Sequence, residues 1–130
     1  MNIQYIIILV TAKDRKEAEQ IAKGLLEAKL VACANIIEGV QSLFWWQGKI
    51  DSSKEVLLIL KTKKILFKKV STKVKSLHSY QTPEIIALPI VHGSEDYLQW
   101  LGSSCHFWIN NVIPSKAGIH NKRFICRLID

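Results

Sequence analysis

Cysteine is scarce in this sequence: Cys33, Cys105 and Cys126 are the only three. An odd number with no paired spacing excludes a disulfide framework. A reducing, cytoplasmic compartment is therefore the expectation. No apolar stretch approaches the ~18 residues of a membrane span. The early apolar run, residues 6–10, follows no basic segment and meets Thr11-Ala12-Lys13-Asp14, so it reads as a strand and not as a signal peptide. A phosphate-cradling glycine loop is missing, as are a Ser-His-Asp set in a recognisable context and a close carboxylate pair in a motif. No enzyme is expected. Repeats and low-complexity tracts are absent too. Acidic residues are outnumbered 11 to 18 by Lys and Arg, which leaves a formal net charge of +7. That permits acidic partners without establishing one.

What the chain does have is apolar surface. Hydrophobic residues make up 48% of 130 and charged residues 22%, the balance of one soluble globular domain rather than a disordered chain. Composition shifts near the end, where Lys116, Lys122, Arg123 and Arg127 stand against Asp130 alone and Asn110-Asn111 and Pro114 to Gly118 break any regular period. The sequence divides into a body, 1–104, and an appendage, 105–130. The appendage contains Phe107, Trp108, Ile109, Phe124, Ile125 and Leu128, too apolar for a simple solvated tail.

The body opens with a strand over 3–10. Asp14 with Glu17 three residues on is a capping-box-like start for a helix whose apolar face is Ala18, Ile21, Ala22, Leu25 and Leu26. A strand follows from about 30 to 46, with a bulge or break at Glu38-Gly39. Gln47-Gly48 makes a tight turn into a return strand, 49–62, whose run 56–60 reads as buried on both faces. A second helix spans 64–77, with Leu66, Phe67, Val70, Val74 and Leu77 inward. A fourth strand covers 84–91, and Ser94 caps a third helix carrying Glu95 and Asp96 in its first turn. The order β-α-β-β-α-β plus a C-terminal helix predicts an α+β, ferredoxin-like antiparallel sheet with both main helices on one face. The other face then poses a problem: an apolar strand and a hairpin tip of Phe44, Trp45 and Trp46 need cover, supplied either by the appendage folding back over the sheet or by a homo-oligomer that extends the hairpins into a neighbour's sheet.

Five segments taken in order, Leu30-Val31-Ala32-Cys33-Ala34-Asn35, Phe44-Trp45-Trp46-Gln47-Gly48-Lys49, Leu60-Lys61-Thr62, His78-Ser79-Tyr80-Gln81-Thr82-Pro83-Glu84, and Gly93 with Tyr97-Leu98-Gln99-Trp100, resemble the divalent-cation tolerance family CutA. The resemblance runs over residues 3 to about 103. It implies a homotrimer of interlocked hairpins and a part in the response to divalent metal ions, copper among them, with weak or indirect metal binding. It also implies a likeness to the trimeric PII regulators, and so an alternative: a signalling trimer with a small effector in the cleft between subunits. Asn35, Trp46, Lys61, Tyr80 and Glu84 fall in the matching stretches and are the cleft-ligand candidates. The metal ligands implied by bacterial relatives are a cysteine before the first threonine and a histidine pair. Val10 and Leu77 stand at two of those places here, leaving His78 as the metal candidate.

The remaining residues with chemistry have plainer readings. Cys33, between two alanines on a strand, reads as core. His106, His120, Cys105 and Cys126 match no zinc template. Lys61, Lys63, Lys64, Lys68, Lys69, Lys73 and Lys75 interleave with the second helix's apolar stripe and read as a solvated helix face, without the paired aromatic motifs of an RNA-binding sheet. The expected partners are therefore other copies of the chain and a metal ion or small ligand, with no nucleic acid and no membrane.

Overall fold

The computed structural model describes residues 2–106. The elements follow in the order β1 (Tyr5–Ala12), α1 (Arg15–Glu27), β2 (Cys33–Trp46), β3 (Lys49–Lys63), a 3-10 turn (Lys64–Leu66), α2 (Phe67–Leu77), β4 (Ile85–Pro89) and α3 (Glu95–Ser104). The sheet order is β2-β3-β1-β4, with each pair antiparallel. This is the expected ferredoxin-like α+β topology. Residues 107–130, most of the appendage and with it His120 and Cys126, lie outside the described residues.

Period two sets the layers. Ile6, Ile8, Val10 and Ala12 of β1 and Val56, Leu58 and Leu60 of β3 point to the helices and are buried, where they meet Ile21 and Leu25 of α1 and Val70 and Val74 of α2. Each such side chain contributes about 1.5–3 kcal/mol relative to exposure. The opposite face is unfinished. Leu57 and Ile59 are only half-buried, and beside them Ile37 is 44%, Ile86 51% and Leu88 49% exposed. The run 56–60 is therefore covered on one side of a single chain, not on both. Leu77, expected inward, is 37% exposed: it sits in the last turn of α2 over Gly24 of α1, which has no side chain to cover it.

The local signals act as read. The Asp14 side chain accepts from the Glu17 N–H at 2.8 Å, and the Ser94 hydroxyl accepts from the Tyr97 N–H at 3.4 Å. Gln47 and Gly48 have φ of 50° and 78°, the pair of left-handed residues that a two-residue hairpin turn matching the strand twist requires. Register slips between Ile37 and Val40, with Gly39 at φ 79°. β2 begins three residues later than expected. Lys29, at φ 60°, ends α1 with paired bonds from the Lys29 N–H to the Leu26 carbonyl and from the Leu30 N–H to the Leu25 carbonyl. That left-handed exit uses up residues 28–30 as a helix cap. Replacing Asp14 by Ala lowers stability by about 1 kcal/mol, read as a lower thermal midpoint at fixed chain concentration.

β1 stops pairing with β3 at Ala12 opposite Val56. Beyond that point β2 and β3 continue as a two-stranded arm, from Val40 opposite Glu55 to Trp46 opposite Lys49. Seven pairs at about 3.3 Å per residue carry the tip roughly 20 Å past the body. Trp45 and Trp46 are 74% and 60% exposed at the tip.

Candidate functional site

The densest polar construction lies where the arm leaves the body. Glu17, in the first turn of α1, is almost fully buried and accepts from two backbone N–H groups: Lys13 at 3.2 Å on Oε1 and Ser79 at 3.0 Å on Oε2. It ties the β1–α1 loop to the segment after α2. Burial works to raise its pKa, but the bonds from Ser79 and Lys13, with His78 nearby, outweigh burial and hold the carboxyl below its ordinary value.

His78 follows α2 with its ring wholly covered. The Tyr80 N–H donates to Nδ1 at 3.0 Å, and Nε2 lies 2.8 Å from the Thr11 carbonyl oxygen. A backbone N–H can only donate, so Nδ1 carries the lone pair and Nε2–H donates to Thr11. Both nitrogens are committed, and a metal reaching His78 has to break one of these bonds. Val10, the other position the resemblance implied, is fully buried on the helix side of the sheet. Among the described residues no group of three His, Cys, Asp or Glu side chains converges.

Tyr80 completes the corner. Its ring lies 4.7 Å from that of His78, and its hydroxyl donates to Glu55 Oε2 at 3.0 Å. Burial and the Glu55 carboxylate push the phenol up to about 12. Glu55 pairs with Val40, so this bond clasps the first rung of the arm to the body. Outside it, Arg15 donates to Glu19 at 2.8 Å and to Glu38 at 3.1 Å, pinning the bulge to α1.

The five cleft candidates are spread along one chain. Tyr80 is in the corner. Glu84 is exposed and immediately precedes Ile85, the β4 partner of Val10. Lys61 is six residues from Glu55 along β3, about 20 Å away, and Trp46 closes the arm against Lys49, about 40 Å from Lys61. Asn35 and Lys61 are near neighbours, through Cys33. Cys33 pairs with Lys61 across the strands, and its thiol lies 3.8 Å from the Asn35 side-chain oxygen. Lys61 Nζ lies 5.7 Å over the Tyr97 ring, and that ring lies 5.5 Å from Trp100. Burial, with Cys33 nearby, raises the Tyr97 phenol, and Lys61 opposes them. Cys33 is half-buried on the open face, short of the core position expected for it.

Sequence reading missed Glu55 and Tyr97 as site residues and saw Glu17 only as a cap. Glu55 gives no signal, since one acidic residue on a strand looks solvated until the register puts Tyr80 against it. Tyr97 stood in a matching motif and could have been included.

Fold and site define a class: a ferredoxin-like α+β subunit with one finished face, one apolar unfinished face and a projecting arm clasped by a buried hydrogen-bonded corner. The profile described as "CutA1 divalent ion tolerance protein" matches residues 6–104. The chain is 44% identical over 95 residues to the divalent-cation tolerance protein CutA of Thermus thermophilus, covering 73% of this chain and 92% of that one. It is 41% identical over 103 residues to "Protein CutA, chloroplastic" of Arabidopsis thaliana, covering 79% of this chain but only 57% of that longer protein. The crystal structure of CutA1 from Oryza sativa superposes with a TM-score of 0.78 at 38% identity, covering 80% of this chain and 95% of that one. The chain belongs to the CutA1 divalent ion tolerance family. These relatives are named for tolerance and not for an enzymatic activity, and no helix among the described residues is long and apolar enough to cross a membrane.

Proposed function

We propose that the chain acts in divalent-cation tolerance, copper included, as a homotrimer with interlocked arms, non-enzymatic and in a reducing cytoplasm. Its metal contact is weak or indirect. The observation that carries the reading is the exposed apolar surface left by one chain: Leu57, Ile59, Ile37, Ile86 and Leu88 on the open face of the sheet, together with Leu43 and Trp45 on one side of the arm and Phe44 and Trp46 on the other. So large an apolar patch marks an association surface. The arm, with no third strand among the described residues, gains one by lying against a neighbour. Assembly also offers a way to gather Trp46, Lys61, Tyr80, Glu84 and Asn35, which one chain keeps apart. Weak metal contact follows from the cost of opening either His78 hydrogen bond.

Light scattering gives three times the 14.8 kDa chain mass, unchanged by Cu(II) or by a chelator. A monomer at micromolar concentration, or a mass that follows the metal, refutes the assembly. Calorimetric titration with Cu(II) gives a Kd weaker than about 10 μM, a binding free energy smaller in magnitude than about 7 kcal/mol. A submicromolar site overturns the reading of the metal.

A further inference from the structure

We propose that the outward face of α2 and the 3-10 turn before it bind the phosphate backbone of a nucleic acid by charge, without reading sequence. Residues 56–83 contain seven lysines and no acidic residue. The structure turns that composition into a surface. Leu66, Val70 and Val74 face the core with no exposure, which leaves Lys64, Lys68 and Lys75 along one edge of the helix and Lys69 and Lys73 along the other. Exposed Thr72 lies between the two rows, a hydroxyl of the kind that donates to phosphate oxygens. A shallow groove of about 370 Å³ runs there, lined by Leu30, Lys68, Lys69, Thr72, Lys73 and Ser76.

This arrangement works against the subunit's own stability. Lys64 with Lys68 and Lys69 with Lys73 are like charges four residues apart, a destabilising spacing on a helix. Lys63, Lys64, Lys68 and Lys69 crowd the positive end of the helix dipole, where the first turn has neither an acidic residue nor a side-chain cap. Among the described residues no carboxylate pairs with Lys63, Lys64, Lys68, Lys73 or Lys75. A polyanion turns each of these unfavourable terms into a favourable one. The surface is also selective among polyanionic partners. A helix that inserts into a lipid interface needs an apolar face, and that face of α2 is already buried in the core, which leaves a membrane only its charged headgroups to offer. A protein interface needs apolar anchors at its centre, and the patch offers only Ile65, 68% exposed, and the edge of Leu30. Lysine rows with a hydroxyl between them suit a phosphodiester strand.

The test is fluorescence anisotropy of a labelled 20-base-pair DNA duplex of scrambled sequence with the intact protein, across a salt series. Binding tightens as salt falls, with a log–log slope of about −4, as expected for roughly five neutralised phosphates. The double substitution Lys68→Gln, Lys73→Gln on the solvent side reduces the slope by about 2 and weakens low-salt binding about tenfold or more. Lys16→Gln with Lys23→Gln on α1 leaves both nearly unchanged, and circular dichroism confirms that all variants are folded. Three results overturn the proposal: no binding at 50 mM salt (a concentration of about the range where such contacts are strong), an α1 double variant as impaired as the α2 one, or phosphatidylserine vesicles or polyglutamate displacing the duplex better than unlabelled DNA at equal charge.

Discussion

In the proposed trimer, Ile86→Asp gives monomers at micromolar concentration, and Ile65→Asp does not. Both residues are exposed in one chain, at 51% and 68%, so neither substitution disturbs a subunit core. They differ in the side they occupy. Ile86 lies on β4 opposite Leu9, on the open face of the sheet, whereas Ile65 lies in the 3-10 turn on the helix side. A carboxylate on a face that becomes buried costs several kcal/mol when unpaired, and a symmetric trimer repeats that cost at three sites. The expected readout is a threefold fall in mass by light scattering, with a thermal midpoint that no longer depends on chain concentration. A variant that keeps the wild-type mass and midpoint places the contact elsewhere.

The second large effect belongs to Glu17. Glu17→Ala leaves the N–H groups of Lys13 and Ser79 without their acceptor in a covered site. Both bonds are part-buried, so at roughly 1–3 kcal/mol for each buried donor left unpaired the loss falls toward the lower end, about 2–3 kcal/mol, still enough to lower the midpoint. Glu17→Gln keeps one acceptor oxygen and loses less. The carboxyl also gives stability a pH dependence. Its pKa is lower folded than unfolded, so the unfolded chain binds the proton more readily. The stabilisation is complete above the ordinary value of 4.5 and is lost as pH falls through the lower folded value. Midpoints measured at fixed concentration from pH 6 to pH 3 (a span of about the carboxylate range) fall more steeply for the wild type than for Glu17→Gln. Parallel curves would remove Glu17 from the account.

The topology was legible because each boundary carried its own chemistry. Asp14 and Ser94 are short acceptors that satisfy helix N–H groups. Gln47-Gly48 allows two left-handed residues in succession, and Glu38-Gly39 marks the bulge. Boundaries without such a signal drifted. β4 is Ile85–Pro89 and not 84–91, and the exit from α1 falls on Lys29, a residue type that gives no hint of a left-handed φ. Burial on both faces of 56–60 could not be read either, because alternation says that a strand has two apolar sides and not which molecule covers the second. The candidate site was less legible still. The family resemblance picked out Tyr80 and Lys61, but not the buried Glu17 and Glu55 that hold the corner. The partners of His78 are backbone groups of Thr11 and Tyr80, and nothing in their side chains announces them.

The clasped arm also imposes an order of events on a newly made chain. The body, with β1 between β3 and β4 and the helices on one face, closes its helix-side core through contacts within one molecule. The two-stranded extension does not, and until it docks, the free side of a 14-residue edge strand carries unpaired peptide groups beside Trp45 and Trp46. In the proposed trimer, maturation then becomes a higher-order reaction in chain concentration. Dilution lengthens the interval in which the edge can pair with the wrong molecule, and dense local synthesis shortens it. The fastest route to a sound assembly is for sister chains to leave neighbouring ribosomes within reach of one another.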